Sequence, residues 1–188
     1  MRFGPLKIGV IDNRKFNTLS ECPPRLFDLY LQLTIITVAK TISNTILIKA
    51  PAAAVWNTLT NPSETKKYMF GCETVSDWQP GSPLLWEGVY EGKPMVFVKG
   101  NVISINPGKN LEYTVFDPNG EIADLPVNYL TVRYELAEEG DQTMLRVTQG
   151  DYDTVADGER RYKESYNGGE GWNPILVKIK EQVEAAAL

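Results

Sequence analysis

The side chains able to do chemistry in this 188-residue chain are carboxylates, lysines, tyrosines and two cysteines, because it contains no histidine. That absence excludes Ser-His-Asp and Cys-His relays and the HExxH zinc site. The carboxylates Asp117, Glu121 and Asp124 cluster in the turn-rich segment FDPNGEIADLP. They could serve as acid and base if folding raised one pKa, and otherwise form a solvated acidic loop. Gly168-Gly169-Glu170-Gly171 stands before a helical pattern, but no strand precedes it directly, no third glycine completes GxGxxG and no Lys-Ser/Thr follows. It reads as a flexible lead-in to a helix rather than a phosphate cradle. Asp151-Tyr152-Asp153 with Asp157-Gly158 has the wrong glycine position for a calcium loop and Val155 at its fifth place, so it reads as an acidic loop. Cys72 follows Gly71 at the end of a short helix, where the helix dipole disfavours a thiolate, so it reads as a structural thiol. No catalytic residue, no metal-ligand set and no cofactor is assigned from these patterns, which leave an enzyme open but do not favour one.

Composition narrows the class further. Apolar residues make up 43% of the chain and charged residues 23%, enough for a real core and too apolar for disorder. Net charge is −5, divided into +3 over residues 1–40 and −8 over residues 41–188, so attraction to nucleic acid or an anionic membrane surface is disfavoured. The most apolar stretch, Leu26 to Val38, is interrupted by Asp28 and Gln32 and falls short of the ~20 residues of a spanning helix, so no membrane insertion is expected. It also lacks the flanks of a secretory signal. Cys22 and Cys72 make no disulfide framework and no glycosylation acceptor is present, which fits a cytoplasmic setting. The charge step near Lys40 divides the chain into an N-terminal extension, 1–40, and a domain, 41–188. The extension is expected to be either a poorly ordered arm or a translated upstream region, with the true start at Val38.

From Thr41 the pattern becomes regular. Ile46 and Ile48 alternate as in a strand, and PAAAVWNTLTNP reads as a short helix opened by Pro51 and stopped by Asn61-Pro62. Ser63 is expected to cap a second short helix, SETKKYMF, ending at Gly71. Turn signals at Gln79-Pro80-Gly81, Glu91-Gly92, Asn106-Pro107-Gly108, Asp117-Pro118-Asn119-Gly120 and Glu139-Gly140-Asp141 then delimit a run of strands. Leu130, Val132, Tyr134 and Leu136 share one face, as do Leu145 and Val147, so the sheet is antiparallel with one buried side. Trp172, Ile175, Leu176, Ile179 and Val183 recur at helical spacing after Asn173-Pro174 and predict a long amphipathic helix lying across a curved sheet.

Eight segments in order carry a resemblance: Pro51-x3-Val55-Trp56-x2-Leu59-Thr60-Asn61-Pro62, Asp77-Trp78-x2-Gly81-Ser82-Pro83, Trp86-x3-Tyr90-Glu91-Gly92-Lys93-Pro94, Ile103-x-Ile105-Asn106-Pro107, Leu111-Glu112-Tyr113, Asn128-Tyr129-x-Thr131-Val132-x-Tyr134-Glu135-Leu136, Thr143-x-Leu145-x-Val147-Thr148-Gln149 and Gly171-Trp172-x3-Leu176. From about Thr41 onward the chain resembles the SRPBCC (START-like) superfamily, and more closely its branch related to the activator of the heat-shock-protein ATPase. The resemblance implies an α+β helix-grip fold: a curved antiparallel β-sheet of about six to seven strands, two short helices and a long C-terminal helix packed across it. It implies a small hydrophobic ligand, lipid or polyketide in kind, held between sheet and helix. Chaperone contact, or catalysis on an enclosed hydrophobic substrate, are the alternatives. By analogy Trp86, Tyr113, Trp172 and Leu176 are placed near the cavity, and Phe97 and Tyr134 complete the ligand-binding set. Each ring could equally fill core. Relatives often carry charged or imidazole groups in the strand that here reads Val127-Asn128-Tyr129-Leu130, and the apolar Val127 and Leu130 imply a less polar ligand or none.

Overall fold

The structure, a computed structural model, describes residues 39–186; the extension, apart from its last two residues, and the apolar run Leu26 to Val38 lie outside the described residues. Strand β1, Ile42–Ile48, buries Ile42 and Ile48 at its two ends. Helix α1, Ala52–Thr60, follows Pro51 and ends at Asn61, which is held in an extended conformation because the next residue is proline. Asn61 also begins the next helix. Its side chain accepts a hydrogen bond from the Ser63 backbone N–H at 3.0 Å, so Asn61 rather than Ser63 caps α2, Pro62–Tyr68, with proline in its first turn.

Six further strands complete one antiparallel sheet: β2 Glu73–Val75, β3 Pro83–Tyr90, β4 Lys93–Asn106, β5 Asn110–Val115, β6 Leu130–Glu139 and β7 Gln142–Gly150. Their order is β1-β7-β6-β5-β4-β3-β2, so the first strand closes onto the last, with Ile42 opposite Gln149. The long strand β4 pairs with both β3 and β5, and its register on β5 shifts between Val102 and Ser104. At Gly100 an added Cβ would stand 1.7 Å from the Thr114 carbonyl oxygen, so only glycine allows the two backbones to approach there.

Helix α3, Gly158–Tyr166, was not expected from the sequence, where its surroundings read as an acidic loop. GERRYKESY has no apolar stripe and no fully buried residue. It is held instead by polar and aromatic contacts: Arg161 donates to the Asn128 carbonyl at 2.9 Å and Tyr162 meets Tyr152 edge-on at 5.4 Å. A second correction concerns Val127-Asn128-Tyr129-Leu130. Pro126–Asn128 form a single 3-10 turn with Val127 exposed, and β6 begins only at Leu130. The turn forms because the buried Asn128 side chain bonds the Ala123 carbonyl and the Ala156 N–H.

Helix α4, Asn173–Ala186, lies against the sheet and fully buries Leu176, Ile179 and Val183, each contributing roughly 1.5–3 kcal/mol by burial. They join Val55 and Leu59 of α1, Tyr68 of α2 and the inward residues of β3 to β7 in one core. The glycine run before α4 is exposed at Gly168 and Gly169 but docked where it ends, at Gly171. Asn44 accepts from the Trp172 N–H at 2.9 Å and donates to the Glu170 carbonyl at 3.2 Å. At Gly171 (φ +50°) a Cβ would stand 2.6 Å from Asn44 Oδ1 and 2.7 Å from Ile42 Cγ2. Among the described residues, no helix is long and apolar enough to cross a membrane.

Candidate functional site

The inward face of the sheet does not fill completely. Cross-strand register sets Tyr113 opposite Val132 and Val132 opposite Gln149, a row across β5, β6 and β7. Trp86 and Val98, opposite one another on β3 and β4, continue the floor. Over this floor stand Trp172 and, from the turn between α2 and β2, Met69, Phe70 and Cys72, while Phe97 and Val115 close the sides. The partly open cavity measures about 430 Å³, within the ordinary size range of small-molecule sites.

Of the six ligand-binding residues expected from the sequence, Trp86, Phe97, Tyr113 and Trp172 line this cavity. Tyr134 and Leu176 do not. Tyr134 lies deeper on the same face of β6, its ring 6.2 Å from that of Tyr113 and edge-on to Trp172 at 6.1 Å. Leu176 is wholly buried in the core under α4. Sequence reasoning missed Gln149, although it continues the inward alternation of Leu145 and Val147. It also missed Met69, for which the turn leaves no periodic signal. Phe70, another wall residue without a periodic signal, sits at φ +51°, is 76% exposed and carries the Lys178 ammonium 4.1 Å above its ring.

Among the described residues, no Asp, Glu, Lys or Arg lines the cavity. Its polar groups are few and mostly committed. The Trp172 indole donates to Gln149 Oε1 at 3.0 Å, which fixes the amide; among the described residues its N–H₂ has no acceptor. Burial pushes the Cys72 thiol up, away from the reactive thiolate. Burial likewise raises Tyr113, with the neighbouring Tyr134 adding to the effect. Tyr134 is pushed up to about 12 by burial. Its hydroxyl is buried near Tyr113 and makes no hydrogen bond among the described residues. A space with this lining can bind and orient an apolar molecule; it holds no pair of groups suited to proton transfer.

Two members of the acidic cluster, Asp117 and Asp124, are tied into local structure. Asp117 Oδ1 accepts from the Asn119 N–H at 2.8 Å, and Asp124 pairs with Lys99 while accepting from the Tyr129 hydroxyl at 2.7 Å. These bonds, Lys99 foremost, hold the Asp124 carboxyl below the usual range, the reverse of what an acid catalyst needs. Among the described residues, no group of three His, Cys, Asp or Glu is arranged to hold a metal ion.

The sequence model of the Activator of Hsp90 ATPase homolog 1-like proteins matches residues 49–184. The chain belongs to that family. Membership agrees with the helix-grip architecture, and solved structures share it. A protein of Cytophaga hutchinsonii is 31% identical, with 78% of this chain and 95% of that one covered and a TM-score of 0.60. The Aha1 dimer of Colwellia psychrerythraea is 18% identical, covering 77% of this chain and 96% of that one, at a TM-score of 0.55. An HSP90 activator of Plasmodium falciparum is 14% identical, covering 73% and 94%, at 0.51. The latter two likenesses are likenesses of fold. No curated protein matches the chain. Within this frame the cavity lies between the sheet, the turn from α2 to β2 and Trp172, the residue just before α4; among its described lining residues none belongs to α4 itself.

Proposed function

We propose that this member of the Activator of Hsp90 ATPase homolog 1-like family binds a small hydrophobic molecule between the sheet and the lead-in to α4. The observation that carries this reading is the uncharged, aromatic-walled cavity of about 430 Å³. Removing apolar ligand surface from water there contributes ~25 cal/mol per Å², and an uncharged wall costs a neutral guest little desolvation. The test is titration of the full chain with the apolar fluorophore 1-N-phenylnaphthylamine. Saturable emission enhancement is expected, and Val132→Trp, which fills the floor between Tyr113 and Gln149, abolishes it. A wild-type chain that stays dark, or a filled variant that binds equally well, overturns the reading.

A co-chaperone-like contact is the second reading, supported by the family's description and by the Plasmodium falciparum neighbour described as an HSP90 activator. Its measure is the ATPase turnover of the chaperone with and without the added chain; unchanged turnover dismisses it. Catalysis on an enclosed hydrophobic substrate is supported by no nucleophile and base pair in the cavity wall.

A further inference from the structure

A second cavity, about 480 Å³, lies where α3 and residues 117–122 face the sheet. It shares three wall residues, Val98, Val115 and Gln149, with the apolar cavity, so the two adjoin across them. Their chemistry differs. The first has no charged side chain in its wall, whereas the second is lined by Arg160, Arg161 and Ser165 of α3 and by the acids Asp117, Glu121, Asp157 and Glu164.

Pairing sorts these charges. Arg160 is engaged by both Asp157 and Glu164. Arg161 is half-buried and its side chain makes one hydrogen bond, from Nη1 to the Asn128 carbonyl at 2.9 Å. Among the described residues it forms no ion pair. Burial accordingly holds this guanidinium below its ordinary value. The Ser165 hydroxyl stands beside the Tyr152 hydroxyl, and among the described residues the Gln149 amide, whose oxygen accepts from Trp172, has no acceptor for its N–H₂. Behind them the Tyr152 hydroxyl is buried without a hydrogen-bond partner. The wall thus holds four carboxylates against two guanidiniums: Arg160 engages Asp157 and Glu164, while Asp117 and Glu121 belong to exposed residues at its rim.

We propose that the two cavities form one bipartite site for an amphipathic monocarboxylate, with its apolar body in the first and its carboxylate among Arg161, Ser165 and Gln149 in the second. This rests on the hydrophobic-ligand reading above and adds the polar end. A planar carboxylate offers the paired acceptor oxygens that a guanidinium with free N–H groups receives best. A single negative charge fits better than a double one, because Asp117 and Glu121 line the same cavity and would repel a dianion more strongly.

The test is displacement of 1-N-phenylnaphthylamine from the full chain at pH 8 and low salt by decanoate and by decan-1-ol, which share a chain and differ in charge. Decanoate is expected to displace the fluorophore at a concentration at least tenfold lower than the alcohol. Arg161→Gln is expected to erase that advantage while leaving displacement by the alcohol unchanged, and Ser165→Ala to reduce it about threefold. Fluorophore binding by each variant reports that it is folded; if Arg161→Gln is not, Ser165→Ala decides. Acid and alcohol displacing equally, or a folded variant that retains the full advantage, overturns the bipartite site and leaves the hydrophobic-ligand reading standing. A wild-type chain that does not bind the fluorophore removes both.

Discussion

The Trp172 indole N–H donates to Oε1 of Gln149 across 3.0 Å, joining the residue before α4 to the last inward position of β7. The same amide stands in the wall of both cavities. One side chain therefore anchors a tryptophan and turns its remaining donors toward open space.

Gln149→Leu keeps the bulk and removes the acceptor, leaving the half-buried indole N–H unpaired. A loss of about 1–3 kcal/mol in unfolding free energy is expected. Urea denaturation followed by tryptophan emission measures it, and a midpoint unmoved from wild type contradicts the anchoring role.

Asn44 clamps the chain on the other side of Trp172. Asn44→Ala removes two hydrogen bonds, to the Trp172 N–H and the Glu170 carbonyl, and should cost about 1–3 kcal/mol. Gly171→Ala should cost at least as much, because its Cβ would press on Asn44 Oδ1 and Ile42 Cγ2 in a backbone conformation that disfavours side chains. Calorimetric melting of the two variants and their double mutant tests this. Independent, additive losses would show that the two residues do not act at one contact.

Tyr134→Phe deletes a buried hydroxyl that has no partner, so it is expected to be neutral or to stabilise by up to about 1 kcal/mol. The same residue sets an alkaline limit. Its folded pKa of about 12 lies above the ordinary 10.0, so the folded state holds the proton more tightly. Its contribution is fully present below pH 10 and is lost as pH rises toward 12, where the unfolded chain ionises first. Buried Tyr68 and Tyr113 act in the same direction. Stability profiles across that window should be shallower for Tyr134→Phe; identical slopes would count against burial as the cause.

Cys72 lines the apolar cavity with a thiol that burial raises. At pH 7.5 it should react with iodoacetamide several times more slowly than Cys72 in the urea-unfolded chain, with Cys22→Ser used to isolate it. Saturating 1-N-phenylnaphthylamine should slow it further. Acceleration by the fluorophore would place the thiol outside the bound volume.

The strands were legible because each buries alternate residues and ends at a glycine or proline turn: Leu130 to Leu136 reads inward, outward, inward as the sheet requires. The terminal helix was legible from Leu176, Ile179 and Val183. Helix α3 was not, since a segment held by Arg161, Tyr162 and its own ion pairs carries no apolar period to detect. The candidate site divides in the same way. Trp86, Tyr113 and Trp172 follow from strand register and helix position, whereas the depth of Tyr134 and Leu176 depends on sheet curvature, which alternation does not encode. Phe70 is placed by a left-handed turn residue, a conformation that its side chain gives no reason to expect.

Strand β1 finds its partner about a hundred residues later, Ile42 against Gln149, and the intervening strands pair in order between them. During synthesis at ~5–20 residues per second, β1 therefore waits on the order of ten seconds as an unmatched edge before β7 emerges. The meander from β3 to β6 can zip as it leaves the ribosome, but the seam that closes the domain is sewn last, and a stall before Gln149 strands the nascent chain with its first strand bare.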